Sequence, residues 1–184
     1  DLVRSRGLGD VYKRQRQLKC IERRQDMQKN FLKSGIEISE LGLGCMSLGT
    51  DFNKAQPIIE SAIENGITYF DTADIYDQGI NEEIIGKALK KYQYRDDIVI
   101  GTKVGNRLTD VGNITWDPSK KHIKEGIKGS LKRLALDYID LYQLHGGTID
   151  DPLDETISAF DDLKQEGLIR ASVSYTHLTL PTIC

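Results

Sequence analysis

The chain has 184 residues, with 25 Lys and Arg against 28 Asp and Glu and only three cysteines. That mildly acidic balance gives no electrostatic case for nucleic acid or an anionic membrane as a partner. No apolar run approaches the ~18 residues a membrane-spanning helix needs, and three scattered cysteines build no disulfide framework, which fits a reducing cytoplasm.

The two ends differ from the patterned sequence between them. Asp10 to Gln15 (DVYKRQ) can be encoded as GAT GTG TAT AAG AGA CAG. The reverse complement of that string, read from its third base, encodes Val173, Ser174, Tyr175, Thr176, His177 and the start of Leu178. One DNA element, similar to the transposase end of a common sequencing-library adapter, accounts for both tails. Residues 1–15 and 172–184 are therefore expected to be adapter-derived and no part of the native fold. Residues 16–26 can be encoded with a bacterial ribosome-binding sequence just before Met27 and are expected to be untranslated leader. On this reading the native part runs from Met27 to Ala171, and Cys45 is its single cysteine. Without the first fifteen residues and the tail, 21 basic and 26 acidic residues remain, a net charge of −5.

From Met27 the elements follow in order. "NFLKSGIEISELGLGCM" starts with two short extended runs around Ser34-Gly35, a hairpin signal, and ends in an apolar strand over Leu41 to Met46. "KAQPIIESAIENG" spaces Ile58, Ile59, Ala62 and Ile63 along one helical face and stops at Gly66. "ITYFD" is the next strand. "NEEIIGKALKK" is a helix with Asn81 as N-cap, acids in its first turn and lysines in its last, which matches the helix dipole. "DIVIGTK" is apolar without alternation, as expected of a strand buried on both faces. "VGNRLTDVGNITW" reads as a loop. The next helix takes Asp117 as N-cap and Pro118 as its first residue. "YIDLYQLH" is a strand, "LDETISAFDDLKQEG" a helix, and "LIRA" the start of one more strand.

Strand and helix alternating through short links point to a parallel α/β fold. "GLGCM" after the first strand lacks the GxGxxG of a doubly wound dinucleotide fold, so a (β/α)₈ barrel is the better expectation. Such a barrel takes about 250 residues, and the chain holds roughly its N-terminal half.

In these barrels the chemistry sits at the C-terminal ends of the strands. Those positions carry Asp71 and Asp74, with Tyr76 in the following loop, then Lys103, then His145. Each alone has a plain structural reading: Asp71 a strand-end cap, Tyr76 a loop aromatic, Lys103 a snorkelling stem, His145 a hydrogen-bonded core histidine. As a set they make chemical sense. A tyrosine, with its ordinary pKa about 10, is a poor acid near neutrality. A lysine ammonium beside it lowers that value, an aspartate holds the lysine, and a neutral histidine donates to a carbonyl oxygen.

"SGIEISELGLGCM", "YFDTADIY", "GTK" and "IDLYQLH", in this order and spacing, resemble the aldo-keto reductase superfamily, most of all its bacterial branch with "NEEIIGKAL" and "LYQLHGGTID". The resemblance covers nearly all of residues 27–171 and implies an NADPH-dependent (β/α)₈ barrel closed at its bottom by the N-terminal hairpin. It casts Tyr76 as general acid, Lys103 as the partner that lowers its pKa, Asp71 as the lysine's ion-pair partner and His145 as the residue that orients a small carbonyl substrate. It also places Cys45, Met46 and Asp71 beside the nicotinamide ribose, and Trp116 on the wall of the substrate pocket. Trp116 can equally pack beside the Asp117 cap. Many members follow the histidine with Pro-Asp, whereas this chain has "HGGTIDD". The later units that grip the carboxamide and the adenosine phosphate are absent, so the 184-residue chain itself is expected to be inactive, with an open edge strand.

Two rivals stand beside this reading. One is an aldo-keto-reductase-like regulatory subunit that binds cofactor without turnover. The other treats Lys103 as the Schiff-base lysine of an aldolase.

Overall fold

The structure, a computed structural model, describes residues 28–90, 92, 97–109, 112–147 and 154–173. The expected adapter and leader residues 1–26 lie outside that set, as does the tail from residue 174 onward.

The chain opens with β1 (Lys29–Phe31) and β2 (Glu37–Ser39), antiparallel as the hairpin signal predicts, with Gly35 at φ 81 in the turn between them. Then come β3 (Gly42–Gly44), α1 (Phe52–Glu64), β4 (Tyr69–Asp71) and α2 (Ile80–Leu89). The strand β5 (Val99–Val104) leads into β6 (Asn106–Leu108) and β7 (Ile114–Trp116). Last are α3 (Lys120–Leu134), β8 (Ile139–Leu144), α4 (Asp154–Gln165) and β9 (Ile169–Val173). β9 includes Ser172 and Val173, the first two residues of the expected tail, paired with Tyr142 and Gln143.

β3, β4, β5, β8 and β9 form one parallel sheet in that order. Parallel neighbours in chain order, joined across helices, build the wall of a (β/α)₈ barrel, here its first five strands. Outward side chains such as Phe70, Ile100 and Tyr142 pack under Ile59, Ile85 and Ile127 of the helices. Full burial of each large apolar side chain stabilises by about 1.5–3 kcal/mol, so this outer layer carries most of the stability. A smaller inner cluster joins Val99, Leu141 and Ala171 to Ile36, with Leu32 and Ile38 against it. Those last three come from the β1–β2 hairpin, which therefore plugs the lower end of the barrel. It is pinned there by an exchange: Ser39 N donates to Thr68 Oγ1 (2.8 Å) and Thr68 N to Ser39 Oγ (2.9 Å).

The helices cross closely where glycine allows it. A Cβ on Gly86 of α2 would stand 2.5 Å from the Leu134 carbonyl oxygen of α3. In α1 the buried face is Ala55, Ile59, Ala62 and Ile63, capped by Asp51, whose side chain accepts from Asn53 N at 3.0 Å. Ile58, expected on that face, is 48% exposed, because the stripe is centred on Ile59 and its neighbour sits about 100° away around the helix.

Three local expectations are corrected. Asn81 is not an N-cap: α2 starts one residue earlier, behind Gly79 at φ 90, and the Asn81 side chain is wholly buried. Asp117 is not the cap of α3, and Pro118 is not its first residue. Trp116 continues a strand, Asp117 N bonds to Gly105 O (2.8 Å), and Ser119 caps by accepting from His122 N. The stretch after Lys103, expected as a loop, contains the β6–β7 hairpin, registered Asn106↔Trp116 and Leu108↔Ile114.

Candidate active site

Alternation along a strand decides which residues meet inside the barrel. From Lys103, Gly101 and Val99 share its face of β5, and from His145, Gln143 and Leu141 share its face of β8. Register then aligns Asp71 with Gly101 and Lys103 with Gln143. The four titratable residues read from the sequence converge at the upper end of this inner face.

Lys103 is 5% exposed, and its ammonium donates to Asp71 Oδ2 and to Thr72 O, both at 2.7 Å. Its nitrogen lies 5.1 Å from the centre of the Tyr76 ring. That ring meets the His145 imidazole edge to face, with centroids 5.6 Å apart and planes at 88°. Tyr76 and His145 are both half-buried, and the Asp71 side chain keeps 31% of its surface open. The site is therefore reachable from the mouth while its central cation is sealed.

Burial, and after it the Lys103 charge, push the His145 pKa below the ordinary 6.5, only partly countered by Asp71. The ring is neutral near pH 7 and carries one N–H to donate. Its Nδ1 is buried without a partner, and its backbone N–H is held by Val104 O. At the other side of the lysine, Cys45 is fully buried and its backbone N donates to Asp71 O at 2.8 Å. Burial, then the Asp71 charge, raise that thiol to about 12, so it is inert as a nucleophile and acts through its backbone. Met46 beside it is 63% exposed at the rim. Trp116 ends β7 of the hairpin: its ring edge would touch a Cβ on Gly105 (2.6 Å) or Gly146 (3.5 Å), and its indole N–H is buried without a partner. Gly146 follows His145 directly, so the indole stands next to the site. Asp74 ends the same strand unit but turns toward Glu82 and Arg133, away from the lysine.

Two members of the site were not singled out from the sequence. Gln143 Nε2 donates to Asp71 Oδ1 at 3.0 Å, and Tyr69 OH donates to the same oxygen at 3.2 Å. Burial, then Asp71, push the Tyr69 hydroxyl well above its ordinary value, which keeps it a neutral donor. The two side chains meet above Gly101, where a Cβ would come 2.8 Å from Tyr69 OH and 3.3 Å from Gln143 Nε2. The signal was period two: Tyr69 stands two before Asp71, and Gln143 two before His145. Asp71 thus receives three side-chain donors, which fix its carboxylate plane and leave Oδ2 to the lysine.

The chain matches the Aldo/keto reductase family over residues 40–176. It is 62% identical over 138 residues to the uncharacterized oxidoreductase YqkF of Bacillus subtilis, covering 74% of this chain and 44% of that protein. With the aldo-keto reductase YhdN of the same organism it shares 39% identity over 144 residues, covering 75% and 43%. The solved aldo-keto reductase AKR11C1 from Bacillus halodurans, in its holo form, superposes with a TM-score of 0.74 at 58% identity, covering 81% of this chain and 51% of that one. The chain spans about half the length of the relatives it matches. Among the described residues no helix is long and apolar enough to cross a membrane. With the tetrad side chains gathered at the mouth of a parallel barrel wall and a family match over most of its length, the chain belongs to the aldo-keto reductase family.

Proposed function

We propose that residues 27–171 are the front half of a full-length barrel that reduces aldehydes and ketones to alcohols with NADPH. The observation that carries this reading is Lys103, sealed between Asp71 and the Thr72 carbonyl, with Tyr76 and His145 in edge contact above it. The Tyr76 hydroxyl gives its proton to the carbonyl oxygen of the substrate. The Lys103 ammonium stabilises the phenolate left behind, and Asp71 holds that ammonium in place. Neutral His145 donates a hydrogen bond to the same oxygen, where negative charge develops. Bound NADPH would supply the hydride that reaches the carbonyl carbon.

A ledge suits the ribose end of that cofactor. Gly44 pairs with Asp71, has open space where a Cβ would be, and leads into the Cys45 backbone and exposed Met46. Met46, the backbone at Cys45 and the open side of Asp71 would border it. Trp116, beside Gly146, would line the substrate pocket. A soluble enzyme of a reducing cytoplasm, acting on a small-molecule carbonyl, fits the acidic charge and the free, buried thiol of Cys45.

The rivals draw less support. Lys103 Nζ is committed to a carboxylate and a carbonyl, which suits an ammonium rather than a Schiff-base nucleophile. A regulatory subunit has no need of all four side chains in contact. The test is NADPH oxidation by the full-length protein over a panel of aldehydes: turnover supports the reading, and tight NADPH binding without turnover rejects it.

A further inference from the structure

Tyr76 rides on a turn that its own backbone does not favour. The three residues after Asp74–Tyr76 all take positive φ: Asp77 at 49°, Gln78 at 58° and Gly79 at 90°. Two of the three carry side chains, and successive left-handed residues persist only where the surroundings hold them. Apolar packing does not do so from outside: Asp74, Ile75 and Gln78 border an open cleft of about 360 Å³, whose lining also includes Gly126, Gly129 and Arg133 of α3.

Polar contacts anchor the segment that follows it, and they come from Asn81 and Glu82 in the first turn of α2. Asn81 is fully buried. Its Nδ2 donates to Cys45 O (2.8 Å), and its Oδ1 accepts from Thr72 Oγ1 (2.7 Å). Glu82 is fully buried too. It accepts from Thr102 Oγ1 at 2.6 Å and from Arg133 Nε at 2.7 Å. Thr72 and Thr102 are the chain neighbours of Asp71 and Lys103, one pleat away on the outer face. The Arg133 side chain lies flat on the turn: a Cβ on Gly79 would stand 2.7 Å from its Cδ and 2.9 Å from its Nε. One clamp therefore grips the turn that presents Tyr76 and the outer faces of the strand ends that present its partners.

We propose that Asn81, Glu82 and Arg133 are positioning residues that hold this strained turn and so set Tyr76 against Lys103 and His145. The proposal rests on the reductase reading of the tetrad. A buried ion pair is a poor source of net stability, because desolvation offsets its attraction. Fixing one geometry is the use that suits it here.

The test compares full-length wild type with Glu82→Gln and Arg133→Lys, each checked for NADPH binding so that kcat is counted per competent molecule. Glu82→Gln keeps the shape and an acceptor for Thr102 but releases the guanidinium. Its kcat is expected to fall about 10- to 100-fold with KM changed less than about twofold, since small misplacement of a reacting group acts on the chemical step. The basic limb of its kcat–pH profile shifts as well, and amide hydrogen exchange quickens at residues 76–80 but not in β5 or β8. Arg133→Lys, which keeps a cation at a partly open position, should lose less kcat than Glu82→Gln, with the same exchange signature at residues 76–80, and serves if Glu82→Gln does not fold. Wild-type kcat with unchanged exchange at the turn overturns the proposal. So does exchange that rises evenly through the whole domain. If wild type reduces no carbonyl, the reductase reading fails on that arm alone, and the exchange comparison still decides whether the clamp holds the turn.

Discussion

Two ion pairs of equal length lie on opposite faces of one sheet. Inside the barrel Lys103 meets Asp71 at 2.7 Å, and outside it Arg133 meets Glu82 at 2.7 Å. Their boundaries differ. The inner carboxylate keeps 31% of its side chain open to the mouth, where Tyr76 and His145 present polar atoms to whatever enters. The outer carboxylate is at 0% and sealed by Thr102 and the guanidinium. The same chemistry serves reaction where the carboxylate is open to the mouth and geometry where it is buried.

The largest expected effect breaks the inner pair. Lys103→Met in the full-length protein should lower kcat about 10²- to 10⁴-fold, the usual worth of assisted proton transfer. Asp71 keeps Gln143 and Tyr69 as donors and an open side, so the variant should still fold, with a melting temperature near that of wild type. Glu82→Gln should fall well short of that loss in kcat. If the two losses are equal, the division between reacting and positioning pairs is wrong.

Next comes Asp74, beside the outer pair. Burial, then the Glu82 charge, raise its carboxyl from the ordinary 3.8 to about 7, and its Oδ1 has no partner. The folded protein therefore keeps a proton that the unfolded chain has lost. The associated stability is full below about pH 4, declines as pH rises to about 7 and is flat above it. Asp74→Asn should remove that slope. Urea unfolding should show the variant gaining on wild type between those limits, by at most about 4 kcal/mol. A constant difference across that range would show that Asp74 is not the titrating group.

Gly101→Ala sharpens the inner side. Its methyl must displace Tyr69 or Gln143 from Asp71, so a loss of about 1–3 kcal/mol is expected by denaturant titration, together with a drop in kcat. Loss of stability with unchanged kcat would free those two donors from any part in the site. The smallest effect is at the surface, where Lys124 of α3 bridges Asp162 of α4 and Glu166 just beyond that helix. Lys124→Ala should leave activity unchanged, and any fall in melting temperature should vanish at high salt.

The four candidate residues were legible because they are different titratable types at or just beyond three strand ends: Asp71 and Tyr76 after β4, Lys103 on β5 and His145 after β8. The barrel was legible from the alternation of apolar strands with capped helices. Gln143 and Tyr69 carry the period-two signal but look like ordinary strand residues until Gly101 shows why both must cross it. Asn81 and Asp117 misled for one reason: both are good caps in isolation, and tertiary contacts recruit them elsewhere. Asn81 is drawn to Cys45 O and Thr72, Asp117 to Gly105 O and Arg107. The β6–β7 hairpin has strands of three residues, too short for alternation to register. Nothing local announces that Asp77 and Gln78 take positive φ, since α2 and Arg133 impose it.

The measurement that bears most directly on the central claim is NADPH oxidation with simple aldehydes by the full-length protein and its Tyr76→Phe variant, side by side. Wild type should turn over, and the variant should lose about 10²- to 10⁴-fold in kcat with NADPH still bound. Turnover that survives removal of the Tyr76 hydroxyl, or a wild type that binds NADPH and reduces nothing, would contradict it.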